Sequence, residues 1–232
     1  MYKLGQSIYN EWFIKYNYKD NVTFKDSEIG KIPANWNIGH IDDGILTKII
    51  KSGVEKYDGI KKYVATADVS DISINSFSEI EYKDKPSRAN MTPIENSVWF
   101  AKMENSKKNI IVDSYMKDLI NNYIFSTGFM GLLCKNNSLY YIWNYINSPE
   151  FEKTKNNLST GTLMAGISNS TISSAMYPIP DDNTLLQFNN IERKIYNQIY
   201  ANNIENNNLI KLRDTLLPKL MNGEIDLDKV EI

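Results

Sequence analysis

The chain has 232 residues, 26 Lys and Arg against 28 Asp and Glu, one His, one Cys and a formal net charge of -2. That length can bury a real core without staples; lone Cys134 excludes a disulfide framework or a cysteine-based zinc site, lone His40 excludes a His-rich metal centre, and the charge balance argues against an indiscriminate nucleic-acid coat. No apolar run reaches the roughly 18 residues needed to span a bilayer, and the opening MYKLGQSIYNEWF is too polar for a signal peptide, so a soluble cytoplasmic protein with no membrane partner is expected.

Residues 1–20 carry Leu4, Ile8, Trp12 and Tyr16 at four-residue steps, with Tyr9 and Phe13 beside them, which predicts a short helix that must pack on something. Residues 26–182 read as one α+β domain. Trp36 is a core anchor after Pro33, and YVATADV, NSVWFAKM and NIIVD read as strands. FSTGFMGLLC reads as a glycine-broken strand pair or a bulged strand. SLYYIWNYINSPEFEKTKNNL reads as a helix interrupted near Ser148-Pro149, and STGTLMAGISNSTISSAMYPIP as a loop, a short helix and an edge strand.

Residues 183–222 predict one long helix, with N-cap candidates Asp181, Asp182 and Asn183 and a stop at Asn222-Gly223. Phe188, Ile191, Ile195, Ile199, Leu209, Leu212, Leu216 and Leu220 recur at three- and four-residue steps. Roughly 38 residues at about 1.5 Å each give a rod of about 55 Å, longer than the domain is wide. The stripe therefore calls for another chain or copy, with the N-terminal stripe covering only part of it. Asn202 and Asn206 interrupt the seam, either fixing register or marking a solvated stretch, and Pro218 should kink the last turn. Residues 223–232 form a tail.

Catalytic signatures are missing. There is no phosphate loop, no dinucleotide-binding glycine motif, no Ser-His-Asp or Cys-His constellation and no adenine-methyltransferase motif. His40 stands alone in a loop-like context, and Cys134 reads as a small buried apolar residue. Glu79, Glu81 and Lys83 in SEIEYKDK are the nearest match to a metal-dependent nuclease, and such a charge run more often marks a solvated face. A non-enzymatic protein without cofactor or metal is expected. A stand-alone Mg²⁺-dependent nuclease and a coiled-coil adaptor are the alternatives.

LIKLRDTLLPKLMNGEIDL resembles the end of the specificity (S) subunit of type I restriction-modification systems. GQSIYNEWFIKYN resembles the tail of that family's central spacer helix, and SEIGKIPANWNIGHI the usual opening of its target recognition domain. PSRANMTPIENSVWFAKMENSKKNIIVD and LSTGTLMAGISNSTISSAMYPIP resemble segments within such a domain. The resemblance covers nearly the whole chain in the right order. It implies a half-length non-catalytic subunit or the C-terminal half of a longer one: a helical stub (1–20), one target recognition domain (26–182) and one spacer helix (183–222). The implied partners are double-stranded DNA, a methyltransferase (modification) subunit, a restriction subunit reached through the complex, and a second copy or second half-subunit. A twofold assembly would read an inverted repeat.

No motif of that family transfers base contacts to these positions, so DNA-binding candidates come from residue chemistry. Base reading needs planar bidentate donors or amides, and phosphates need Lys, Arg or backbone N–H groups. Arg88, the lone arginine before residue 193, is the first choice, with Ser87 and Asn90 beside it; a salt bridge to Asp84 or Glu81 is the structural alternative. Lys48, Lys51, Lys61, Lys62, Lys102, Lys107 and Lys108 are phosphate candidates, and Thr160, Gly161 and Thr162 form a loop able to approach a backbone closely. For the subunit interface the candidates are the stripe from Phe188 to Leu220 together with Asn202.

Overall fold

The computed structural model describes residues 2–160 and 165–224. Its α+β fold contains two four-stranded sheets, three two-stranded ones and a long C-terminal helix. Helix α1 (Tyr2–Tyr9) runs into a π-helical turn at Asn10–Ile14, and Tyr16 follows with φ of 59°. The face it buries is Gly5, Tyr9 and Phe13, while Leu4 is 53% exposed. The expected stripe of Leu4, Ile8, Trp12 and Tyr16 is thus only a flank. The partner surface is aromatic and close, and a glycine-tyrosine-phenylalanine face fits it better than an aliphatic one.

Strands β1 (Phe24–Ser27) and β2 (Gly30–Pro33) form a hairpin, and β3 (Asn37–His40) follows the fully buried Trp36. His40 ends β3, where it opposes Met176, and does not lie in a loop. Next come β4 (Thr47–Ile49), β5 (Ile60–Val64), β6 (Val69–Ser70), β7 (Ser73–Ile74), β8 (Ser78–Glu81), β9 (Ala89–Met91), β10 (Ser97–Ala101) and β11 (Asn109–Val112). Then follow α2 (Lys117–Asn122), β12 (Tyr123–Ser126) and β13 (Phe129–Cys134). YVATADV is not one strand. The Asp68 carboxylate accepts the Ala65 N–H at 2.8 Å and closes a 3-10 turn between β5 and β6.

FSTGFMGLLC does split, at Thr127-Gly128, and its halves enter different sheets: β11-β10-β13-β4, all antiparallel, and β8-β5-β12-β9, in which β12 runs parallel to β5. Gly131 faces Trp99 in the first sheet. A Cβ there would lie 2.6 Å from the indole, so only glycine lets that ring cross the sheet. Buried Cys134 sits at the end of β13, its thiol pushed well up by burial. Helix α3 (Leu139–Ile146) is buried on every side. Ser148 then caps α4 (Pro149–Leu158), with Pro149 in the first turn. Helix α5 (Asn169–Ile172) precedes β14 (Met176–Ile179), which pairs antiparallel with β3.

Helix α6 (Asp182–Met221) has 40 residues and continues past Pro218 to Met221. Asp181 caps it, accepting the Thr184 N–H at 3.0 Å and an amide N–H of Asn35 at 3.1 Å. Its proximal half docks on the domain. Leu185, Phe188 and Tyr196 enter the main core, and Phe13 of the π-turn sits edge-on to Phe188 with centroids 4.7 Å apart. Arg193 donates to Asp113 at 2.6 and 3.1 Å. The Asp113 side chain is wholly buried, and it also accepts Tyr140 Oη–H at 2.8 Å. Burial pushes this carboxyl up, but Arg193, Tyr140 and Ser114 together hold it below the ordinary range. Beyond Asn202 every described side chain of α6 is exposed except half-buried Leu220.

Glu192 has no exposure, yet it lies between α1, α3 and α6 without a cation. Asn144 donates to its Oε2 at 3.2 Å, and a Cβ on Gly5 would come within 2.5 Å of that same oxygen. Burial therefore pushes its carboxyl from the ordinary 4.5 to about 7, with Asn144 pulling the other way. A raised carboxyl binds its proton more tightly in the folded state. Its stabilising contribution is full below about 4.5 and is lost as pH rises through about 7.

Two outcomes are expected in urea denaturation. Arg193→Ala should cost about 3 kcal/mol, because it strands a buried carboxylate. Glu192→Gln should remove a loss of stability of about 3 kcal/mol as pH rises from 4.5 through about 7, leaving the variant the more stable chain at pH 8.

Candidate nucleic-acid interface

The turn Pro86–Ala89 closes through the Ala89 N–H to the Pro86 carbonyl at 2.9 Å and exposes Ser87 and Arg88. The Arg88 guanidinium rests on Gly128, where an added Cβ would lie 3.1 Å from Nη2. Neither expected acid pairs with it: Glu81 bonds Lys83 at 3.1 Å, and no described carboxylate makes an ion pair with Arg88. Its donor fork is therefore available to an outside acceptor.

From Arg88 a chain of backbone contacts runs along one edge of the fold. Thr127 N–H donates to the Arg88 carbonyl at 2.8 Å, and Lys102 N–H donates to Gly128 at 2.9 Å. Ile167 N–H donates to Lys102 at 3.0 Å, and Thr160 exchanges two bonds with Gly166. Lys108 reaches the Thr66 carbonyl at 2.7 Å, and the Thr66 methyl also packs on Gly128. On the other side, Gly53 N–H donates to Asn90 at 2.9 Å, which brings the exposed Lys51 segment alongside. Arg88, Ser87, Asn90, Lys51, Lys102, Lys108 and Thr160, dispersed in the sequence, thus share a rim, whereas exposed Lys107 borders a cleft with Gln6, Ser70 and Asn147. Burial holds the Lys102 ammonium below its ordinary range. Gly161 and Thr162 lie outside the described residues.

Other candidates are placed elsewhere or already occupied. Lys48, on β4, faces Asp42 at 3.5 Å. Lys62 bonds Asp118 at 3.2 Å and lies over the Tyr123 ring, an internal contact more than a free phosphate site. Burial lowers its ammonium, but Asp118 and Tyr123 more than restore it. Lys61 lies over the Tyr57 ring at 5.1 Å. Sequence reasoning missed Thr66 and Gly128, the platform under Arg88. The signal for it in the sequence is the glycine in FSTGF, which by itself reads as a strand break. It also missed Tyr57 and Tyr82, stacked edge-on at 5.4 Å beside Lys61 and Lys85.

The helix stripe divides. Phe188 is a core residue of its own chain and not an interface residue; Ile195 and Ile199 are partly covered by the same docking, and Ile191 is 38% exposed. Asn202 is half-buried and accepts from Gln198 at 2.8 Å. Leu209, Leu212 and Leu216 are 53–54% and 36% exposed, joined by Ile204, Ile210, Leu217 and Met221. Over residues 203–221 this leaves an uncovered apolar edge about 28 Å long. Among the described residues no cluster of acidic, His or Cys side chains is placed to hold a metal ion, and no helix is long and apolar enough to cross a membrane.

Comparison with known proteins gives the fold its class. The chain is similar to the HsdS subunit from Thermoanaerobacter tengcongensis, with a TM-score of 0.52 and 15% identity over 87% of this chain and 52% of that one. It is equally similar to a chain from a structure of complex assembly and conformational transition in the type I R-M system, with a TM-score of 0.52, 16% identity and the same two coverages. The fold is that of a type I restriction-modification S subunit, and the chain spans about half the length of these structures. No family model matches it, and no curated protein matches it.

Gly128→Ala would press its methyl against Thr66 and Arg88. It should cost about 1 kcal/mol in thermal denaturation and shift the Arg88 side-chain NMR signals, leaving those of Arg213 in place.

Proposed function

We propose that this chain is a non-catalytic DNA-recognition subunit of a type I restriction-modification complex. The rim centred on Arg88 reads one half-site of double-stranded DNA. The distal half of α6 docks a methyltransferase subunit, and through that complex a restriction subunit. The observation that carries this reading is the pairing of features on an S-subunit fold: an unpaired arginine on a basic rim, and a helix whose apolar edge leaves its own domain bare. An apolar edge of that length in water is stable only when covered. A second copy or second half-subunit across α6 would give two readers related by a twofold axis and an inverted-repeat target. A cytoplasmic setting, where DNA is the substrate, follows from the same reading. The nuclease alternative has less support: Glu81 and Lys83 form an exposed pair at 3.1 Å, and among the described residues no cluster of acidic side chains is placed beside them to hold a metal ion.

Methylation mapping of a genome with and without the chain tests this directly, since a motif present only with the chain is the sequence it reads. Arg88→Ala should weaken binding to that motif about tenfold while barely changing binding to unrelated duplex; equal losses on both would make Arg88 a phosphate contact. Leu212→Glu with Leu216→Glu should abolish assembly in light scattering with the methyltransferase subunit, without lowering the melting temperature. A wild-type chain that stays monomeric beside that subunit would remove the docking role.

A further inference from the structure

The β10–β11 hairpin tip, residues 102–107, is held more firmly than a surface turn requires. Lys155 on α4 is 1% exposed, and its ammonium donates to the Ser106 carbonyl at 2.6 Å and meets Glu152 at 3.0 Å. Burying an ammonium is costly unless it is paired and hydrogen-bonded; here Glu152 on the same helix supplies the pair and the Ser106 carbonyl of the turn accepts the hydrogen bond. The tip is pinned again from α4: Asn105 N–H donates to the Asn156 side chain at 3.0 Å, and that side chain donates back to Asn105 at 2.9 Å. On its far side Glu104 N–H bonds Ala165 at 2.9 Å.

The held turn presents Met103, a large apolar side chain left 51% exposed, next in the chain to half-buried Lys102; exposed Lys107 closes the same turn and borders a cleft with Gln6, Ser70 and Asn147. It stands next to the Arg88 platform, because Lys102 donates to Gly128. An exposed apolar side chain in a turn that also carries cations, set on a rigid support, suits a base edge carrying a methyl group, with a phosphate nearby.

We infer that this tip is a second base-reading element beside Arg88, in which Met103 meets a thymine methyl group, Lys107 a phosphate, and Lys155 is the positioning residue that sets the turn. The inference rests on the DNA-reading role proposed above.

The test is selection from a randomised duplex library with the purified full chain, followed by binding of the selected duplex at several salt concentrations. Met103→Ala should lose the preference for thymine at one position and weaken the selected duplex about tenfold, leaving unrelated duplex unchanged. Lys107→Ala should lower the slope of log affinity against log salt by about 1. Lys155→Met should weaken the selected duplex several-fold with an unchanged salt slope and faster amide exchange at 103–107. Should Lys155→Met not fold, Asn156→Ala carries the same comparison. Wild-type motif and affinity in Met103→Ala and Asn156→Ala, with the Arg88→Ala loss intact, would overturn the inference alone. A smaller salt slope in Lys155→Met would overturn its positioning part. A wild-type chain that enriches no motif would overturn the reading beneath it, and the inference would fall too.

Discussion

Asp113 directly follows β11 with its carboxylate shut away from water, and Arg193 on α6 answers it with two of its N–H groups. A buried carboxylate cannot stand unpaired, so α6 has one rotation and one depth at which it can sit. The aromatic contact of Phe13 with Phe188 and the cap at Asp181 act on the same half of the helix. Everything beyond Asn202 inherits its direction from these contacts, because a helix carries its axis onward without further support.

That constraint joins two surfaces with different chemistry. The rim around Arg88 joins the β8–β9 turn of one four-stranded sheet to the β10–β11 tip of the other across the Thr127-Gly128 turn between them, and α6 is anchored just past β11. A short rigid path therefore separates the basic edge from the base of the projecting helix. A protein built this way can fix the spacing between whatever binds the rim and whatever covers the helix. The solved structures that share this fold are about twice as long as this chain.

Three buried charges show how the same physics serves different ends. Asp113 has a cation and keeps its charge. Lys155 has a carboxylate and a carbonyl, and it organises a turn. Glu192 has only the Asn144 amide, so burial wins and its proton is held up to about 7. Gly5 against Glu192 makes α1 sensitive to that carboxyl, since no side chain separates them.

By itself the sequence determined the periodic features. The 40-residue helix, the Ser148-Pro149 break, the strands β10 and β11, the anchor Trp36 and the buried Cys134 all follow from spacing, capping and turn residues acting within a few positions. Arg88 stands out in the sequence as a candidate because arginine is so rare here, and the structure leaves its side chain exposed. Which face of α1 is buried, how far α6 docks and why Phe188 is core were not legible, since a helix stripe reads the same whether its partner is its own domain or another chain. The rim was equally hidden. Residues 53, 88, 128, 102 and 160 are linked only through backbone contacts between segments far apart in the sequence, and Lys155 looks in the sequence like any solvated helix lysine. Tertiary structure decided these points because burial and pairing depend on long-range contacts that local periodicity does not encode.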